Sequence, residues 1–292
     1  MDQQLFVFIT VAEKKNFSRA AEELHMTQPA VSQYIQALEK TMGTKLLERS
    51  NKYVRLTKAG EIVYHHAKEI LALYAKMDFL IDDLTNNPSG SLSIGASYTY
   101  GEYVLPHLLA KMQLKYPAIN PTITIGNTRE IAELVLGHQL DVGIVEGNFQ
   151  DKNLKVEPFA VDDMSIVVSS NHHLAKTNNE ISLSELANET WIVREIGSGT
   201  REAIESMFSQ YKMTPKKKLE FGSTQIIKEA VEANLGISLL SDWAIRKELS
   251  LGTLTIIKID GVSIRRDFST VLSSPFQTKA LSVFLKIIKG NC

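Results

Sequence analysis

Cysteine is almost absent: Cys292 is the single one in 292 residues. No internal disulfide is therefore expected, and no cysteine-based zinc site. The chain also lacks any apolar run approaching the roughly 18 residues of a membrane helix. Met1-Asp2 leads into a short amphipathic stretch, not into a basic segment followed by an apolar one. No secretory signal and no membrane partner are expected, and the expected compartment is the cytoplasm. No internal repeat or low-complexity tract is visible. A strong charge of one sign is missing too, since the net charge is −1. That balance hides an asymmetry. Residues 1–60 carry nine Lys/Arg against six Asp/Glu, and the remainder sums to −4. A mildly basic head on a mildly acidic body suits a head that meets phosphates.

Catalytic signatures are missing as well. The seven histidines include the adjacent pairs His65-His66 and His172-His173. Helical neighbours point about 100° apart and do not make the i, i+4 pair of a metal site, so no metal is expected. Gly197-Ser198-Gly199 lacks the Gly-x-Ser-x-Gly spacing of a nucleophile elbow. No Walker sequence and no full Gly-x-Gly-x-x-Gly is present. Asp82-Asp83 and Asp162-Asp163 read as solvated helix and turn residues. Neither an enzyme nor a cofactor is expected. With 44% hydrophobic and 22% charged residues, the chain has enough apolar mass for two or so globular domains.

What is present begins with three short helices. Leu5, Phe8, Ile9 and Ala12 form one buried stripe. Ser18 is expected to cap a second helix, with Phe17 as its hydrophobic staple. Thr27 is placed to cap a third, with Pro29 in the first turn, where a missing N–H costs nothing. In that third helix Val31, Ile35 and Leu38 point inward. Gln28, Ser32, Gln33 and Gln36 point outward, and their mixed donors and acceptors suit base edges in a major groove. A helix so presented after a short helix and a tight turn is a recognition helix. After Gly43, the alternating segment 46–57 suits a small β-wing whose Arg49, Lys52 and Arg55 reach phosphates or the minor groove.

These residues carry a resemblance. Phe17-Ser18-Arg19-Ala20-Ala21, Leu24, Thr27-Gln28-Pro29-Ala30-Val31-Ser32, Leu38-Glu39, Gly43 to Leu47, Arg49 and Leu56-Thr57-Lys58-Ala59-Gly60 together resemble the LysR-type transcriptional regulators. Leu47 stands where that family often has Phe, and Lys52 where its wing usually has a second Arg. A lysine binds phosphate without a bidentate fork. The resemblance implies a winged helix-turn-helix over 1–57, with Ser18, Thr27, Gln28, Pro29, Ser32, Gln33, Gln36, Arg49 and Lys52 at double-stranded DNA. It implies an activator at promoters with an interrupted dyad, contact with RNA polymerase, and a homotetramer.

Residues 58–87 read as a linker helix and hinge. Val63, Ala67, Ile70, Tyr74, Met77, Ile81 and Leu84 repeat at alternating spacings of 4 and 3, an a/d seam that calls for a second copy of the chain. Asn86-Asn87-Pro88-Ser89-Gly90 breaks it. Residues 88–292 alternate strand and helix patterns, which implies α/β lobes with largely parallel sheets. Lobe one is expected at about 91–161 and 266–292, and lobe two at about 162–265. The resemblance implies a two-lobed effector domain of the periplasmic-binding-protein-like (type 2) kind.

In such sheets ligands bind beyond the carboxyl ends of strands, at helix N-termini. Four stretches qualify: Ser97-Tyr98-Thr99, Gly126-Asn127-Thr128, Gly197-Ser198-Gly199-Thr200-Arg201 and Gly222-Ser223-Thr224. Ser97, Thr99, Ser198, Thr200, Arg201 and Thr224 are expected to converge on one cleft. Residues 194–201, with 222–224 and 101–106, resemble the CysL/CbbR-like subgroup, the sulfur-assimilation regulator more than the carbon-fixation one. The implied effector is a small anionic metabolite, an oxyanion of sulfur or a phosphorylated compound. The competing readings are a solute-binding protein, which the head argues against, and a metabolic enzyme with a DNA-binding head, for which no activating histidine is evident.

Overall fold

A computed structural model describes residues 2–49, 53–83, 88–176, 181–259 and 261–290. It divides into two compact units, residues 1–84 and 85–292. Among the described residues, no helix is long and apolar enough to cross a membrane.

The first unit contains α1 (Asp2–Lys14), α2 (Phe17–Glu23), α3 (Gln28–Met42), the wing strands β1 (Leu47–Arg49) and β2 (Val54–Leu56), and α4 (Lys58–Asp83). Leu5, Phe8, Val31, Ile35, Leu38 and Leu46 form its core. The cap of α2 differs from the sequence reading. Asn16, not Ser18, is the N-cap, and its Oδ1 accepts the amides of Ser18 and Arg19 at 2.9 and 3.0 Å. The asparagine lies one residue before the helix, so its side chain reaches those free N–H groups, and the Ser18 side chain is left exposed. Thr27 does cap α3, and Gly43 ends it with φ +69°.

Thr57 joins wing to linker. Its hydroxyl donates to the Lys45 carbonyl at 2.8 Å and accepts the Gly60 amide at 2.9 Å. A Cβ on Gly60 would lie 2.0 Å from the Leu46 carbonyl oxygen, so only glycine lets α4 pass there. The linker seam also differs from expectation. Ala67 is buried in the core of the first unit, and Val63 packs against that core. Among its described side chains, Ile62, Ile70, Leu73, Tyr74 and Met77 are the exposed large apolar residues of α4. The 4/3 repeat therefore covers two faces: its first members serve the head and its later ones remain free. The Ile81 side chain and Leu84 lie outside the described residues.

The second unit contains strands β3 (Gly90–Ser97), β4 (Ile119–Gly126), β5 (Val142–Glu146), β6 (Lys155–Ser169), β7 (Thr190–Arg194), β8 (Lys217–Phe221), β9 (Ser238–Ser241), β10 (Leu254–Ile257) and β11 (Ile264–Leu272). Its α-helices are α5 (Leu105–Lys115), α6 (Thr128–Leu136), α7 (Leu183–Asn188), α8 (Gly199–Gln210), α9 (Thr224–Glu232), α10 (Asp242–Leu251) and α11 (Lys279–Ile288). A π-helical turn spans Tyr100–Val104.

The sheets are less parallel than expected. β3 pairs in parallel with β4 and β5, and β7 with β8, but β6 pairs antiparallel with β9, β10 and β11. The cause is that β6 and β11 each run through both lobes. Leu92, Ile94, Ile144, Phe268 and Phe284 share one core, packed against by Phe159. Met164, Ile166, Val168, Trp191 and Ile204 share another, packed against by Ile264. The chain passes from lobe one to lobe two between Phe159 and Met164, and returns between Ile264 and Phe268.

Candidate functional site

Two surfaces carry the polar residues singled out above. On α3, Gln28, Gln33 and Gln36 are exposed and Ser32 is half-buried. Gln28 Nε2 donates to Ser32 Oγ at 3.1 Å, which holds the two side chains as one unit. Thr27, Pro29 and Ser18 are exposed as well. The opposite face buries Val31, Ile35 and Leu38 at 0–3% exposure. Helical geometry produces this division, because 28, 32 and 36 lie four apart.

Glu39, to which the sequence reading assigned no role, ties α3 to the wing. It is 8% exposed. Its Oε1 accepts the amides of Leu46 and Leu47 at 3.0 and 3.3 Å, and its Oε2 meets Lys45 Nζ at 2.6 Å. Burial alone raises a carboxyl pKa, but here it is outweighed. The Lys45 hydrogen bond and the two amides hold Glu39 below the usual range. In the wing, Arg55 lies opposite Glu48 and pairs with it at 2.6 Å, so it is not a free phosphate ligand. Lys52 and the Arg49 side chain lie outside the described residues.

The second surface is the cleft between the lobes. Four short segments meet there. Ser97, Tyr98 and Thr99 end β3 and lead into the π-helical turn. Asn127 caps α6 through a capping box with Glu130, and its Nδ2 donates across the cleft to Glu195 Oε1 at 3.2 Å. Thr128 accepts the Glu146 amide at 3.3 Å and donates to its carbonyl at 3.1 Å, and Ser97 Oγ lies 3.2 Å from Thr128 Oγ1. Ser198 caps α8 without a side-chain hydrogen bond, and Thr200 follows in the first turn. Thr224 opens α9.

Two glycines make the close approach possible. A Cβ on Gly199 would lie 2.2 Å from the Glu146 carbonyl oxygen. Gly197 has φ +97° and stands against Arg129, whose amide donates to the Gly197 carbonyl at 3.2 Å.

The structure thus brings the threonines of both lobes together. It does so through two arginines that sequence reasoning missed. Arg266, on β11, is 5% exposed. Its Nε donates to Asp162 at 2.8 Å, its Nη1 to Thr200 Oγ1 at 2.9 Å, and its Nη2 to Thr99 Oγ1 at 2.9 Å. Its Nη1 also meets Glu146 Oε2 at 2.7 Å. Glu146 Oε1 in turn accepts the Thr99 and Tyr100 amides at 2.9 and 3.1 Å. Asp162 accepts from Ser241 Oγ at 2.6 Å as well. Burial pushes the Asp162 carboxyl up despite Arg266 beside it. Arg194, 1% exposed, forks onto Glu195 with two bonds of 2.7 Å, donates to Thr224 Oγ1 at 3.3 Å, and lies 4.3 Å from the centre of the Tyr98 ring. Arg194 opens the stretch 194–201 that carried the subgroup resemblance but was assigned no role, and no sequence signal marked Arg266.

Arg201 behaves differently from expectation. It pairs with Glu205 at 2.8 Å and Glu220 at 3.0 Å, and donates to the Arg194 carbonyl at 2.8 Å. It braces α8 against β7 and β8 and presents no unspent charge. The histidine pairs also differ. Each shares one carboxylate, Glu69 for His65-His66 and Glu189 for His172-His173. His172 Nδ1 accepts the Leu174 amide at 3.3 Å, which leaves the proton of the neutral ring on Nε2, facing Glu189. That is an imidazole–carboxylate pair, and burial lowers the His172 pKa.

Comparison with known proteins matches both units. Residues 3–61 match the bacterial regulatory helix-turn-helix protein, lysR family, and residues 85–292 match the LysR substrate binding domain. The chain is 41% identical over 288 residues to the HTH-type transcriptional regulator CysL of Bacillus subtilis, covering 98% of this chain and 96% of the relative. It is 33% identical to the HTH-type transcriptional regulator CbbR of Rhodospirillum rubrum, covering 99% and 97%. Among solved structures it resembles the Synechocystis CcmR regulatory domain in complex with 2-PG. That match has 28% identity and a TM-score of 0.63, and covers 69% of this chain and 97% of that one.

Proposed function

Since this chain belongs to the LysR family of DNA-binding transcription regulators, we propose that it is a multimeric sensor whose DNA binding answers to a small anion held between its lobes. The observation that carries the reading is the convergence of Thr99, Thr128, Thr200 and Thr224, from four helix starts in two lobes, on one cleft. Helix N-termini favour anions through their free N–H groups and aligned dipoles.

In this reading, α3 enters the major groove. Gln28, Ser32, Gln33 and Gln36 meet base edges, while Ser18, Thr27, Arg49 and Lys52 meet phosphates. The exposed stripe Ile70, Leu73, Tyr74 and Met77 pairs two copies, whose two heads read the half-sites of an interrupted dyad. A tetramer that activates through RNA polymerase is the family form proposed for it. The anion acts by binding two arrangements of the lobes unequally.

The similarity to CysL favours an oxyanion of sulfur and control of sulfur-assimilation genes. A second reading, a phosphorylated metabolite of central carbon metabolism, is favoured by the CcmR domain seen with 2-PG and by the likeness to CbbR. A thermal-shift screen with sulfite, sulfate, phosphate and 2-PG separates them, because a ligand that binds only the folded state raises its stability. It is paired with gel shifts on the promoter beside the protein's own gene. Stabilisation by a sulfur oxyanion alone supports the first reading, and by 2-PG alone the second. No stabilisation by any anion removes the effector role, and no gel shift at low salt removes that promoter as operator.

A further inference from the structure

A threonine hydroxyl has one proton to donate and two lone pairs to accept with. Three cleft threonines have an arginine N–H directed at their oxygen. Arg266 donates to both Thr99 and Thr200 at 2.9 Å, and Arg194 donates to Thr224 at 3.3 Å. The three threonines are 1–2% exposed. Among the described residues, none of their hydroxyl protons has an acceptor. Thr128 shows the contrast: its proton is spent on the Glu146 carbonyl at 3.1 Å.

A guanidinium carries only donors. An oxygen that accepts from it directs its own proton elsewhere. Arg266 holds Thr99 of lobe one and Thr200 of lobe two in this state together, and one N–H on its Nη2 remains unspent among the described residues. The arginine charges themselves are already balanced. Glu146 and Asp162 face Arg266, and Glu195 faces Arg194. What Thr99, Thr200, Thr224 and the Arg266 Nη2 offer a ligand is therefore a set of hydrogen-bond donors rather than net positive charge, and the Glu195 carboxylate at the same cleft is already met by Arg194 and Asn127.

We propose that Arg266 and Arg194 are positioning residues that fix Thr99, Thr200 and Thr224 as obligate donors, so that the cleft selects a fully ionised oxyanion with no proton of its own to donate. The inference rests on the reading of this cleft as the effector site. It narrows the ligand class to acceptor-only groups such as sulfate-like or sulfonate-like anions. A hydrogen phosphate or phosphate monoanion brings an O–H that meets other donors and leaves both unpaired, which is the costly arrangement.

The test is isothermal titration of the full-length protein with inorganic sulfate and hydrogen phosphate, two tetrahedral dianions at about pH 8. Sulfate is expected to bind about tenfold or more tighter. Thr200→Ser keeps the hydroxyl and is expected to stay within about threefold. Thr200→Val is expected to weaken sulfate by about ten- to a hundredfold, the range for one hydrogen bond to a charged group. Arg266→Lys keeps the charge but loses the fork; it is expected to weaken sulfate comparably and to shrink the sulfate-to-phosphate ratio. In that background Thr200→Val is expected to add little. If Arg266→Lys fails to fold, Thr99→Val and Thr200→Val against their serine controls still decide the matter.

Equal affinity for the two dianions, or full additivity of Arg266→Lys and Thr200→Val, overturns the inference and leaves the effector reading standing. Binding of neither dianion also overturns it, and the effector reading is then decided separately by the wider anion screen.

Discussion

Replacing Glu39 by alanine removes a buried carboxylate that ties the recognition helix to the wing. The cost follows from what it leaves behind. Leu46 and Leu47, at 0% and 5% exposure, lose the acceptor of their amides. Each bond to a charged group contributes about 1.5–3 kcal/mol. Lys45 is 71% exposed and its pair with Glu39 adds at most about 1 kcal/mol. The expected loss for Glu39→Ala is about 3–6 kcal/mol. Glu39→Gln keeps an amide oxygen in place and is expected to lose about 1–2 kcal/mol. The pH dependence has a defined sign. The folded-state pKa of Glu39 is lowered. Its stabilisation is therefore present above the unfolded value of about 4.3 and is lost as pH falls through the lower, folded value. The gap between wild type and Glu39→Gln is expected to be full at pH 7 and to narrow as pH drops below about 4.5. Urea unfolding, followed by hydrogen exchange of the α3 amides, measures it. An alanine variant within about 0.5 kcal/mol of wild type would refute the reasoning. So would a glutamine deficit that does not change with pH.

Three further outcomes are expected. Ser32→Ala frees Gln28 from its 3.1 Å bond and is expected to relax base preference at one position by about 1–3 kcal/mol, read by gel shift against a panel of single-base operator variants. Gly60→Ala places a methyl against the Leu46 carbonyl and is expected to unfold the head or expose the wing, measured as lost protection in limited proteolysis; an unchanged pattern counts against the packing described. Leu73→Asp, on the free stripe of α4, is expected to shift the protein toward monomer in sedimentation velocity, while a surface change such as Lys111→Asp does not.

Much of the architecture was legible because it depends on periodicity. The apolar positions of α3, the turn at Gly43 and the alternation of strands and helices in the body all follow from local pattern. Glycines and small hydroxyl residues likewise marked four helix starts of the cleft. Three things were not legible. Asn16 and Ser18 are both good caps, and their choice depends on a two-residue difference in where α2 begins. The 4/3 repeat of α4 identifies apolar positions but not which of two neighbours each one faces, so Ala67 went to the head and Tyr74 to solvent. Arg266 has no local signature, and Arg194 lies in the stretch 194–201 without anything there to assign it a role. Arg266 meets Thr99 from 167 residues away, and only the passage of β11 through both lobes makes that contact possible.

That passage has a mechanical consequence. Lobe two is an insertion within lobe one, held by two antiparallel strands paired from Ile264↔Met164 to Leu272↔Lys155, with one register shift between Phe268 and Ser269. The pleat places the Arg266–Asp162 pair on the buried side of this ribbon and the Arg265–Asp163 pair on the exposed side. A loop hinge swings freely; a hydrogen-bonded ribbon resists, and yields by twisting. The lobes are coupled by something closer to a torsion spring than to a door hinge. In the proposed reading, a ligand at the cleft would work against a restoring force, and the rotation it wins would be small, graded and returned when the ligand leaves.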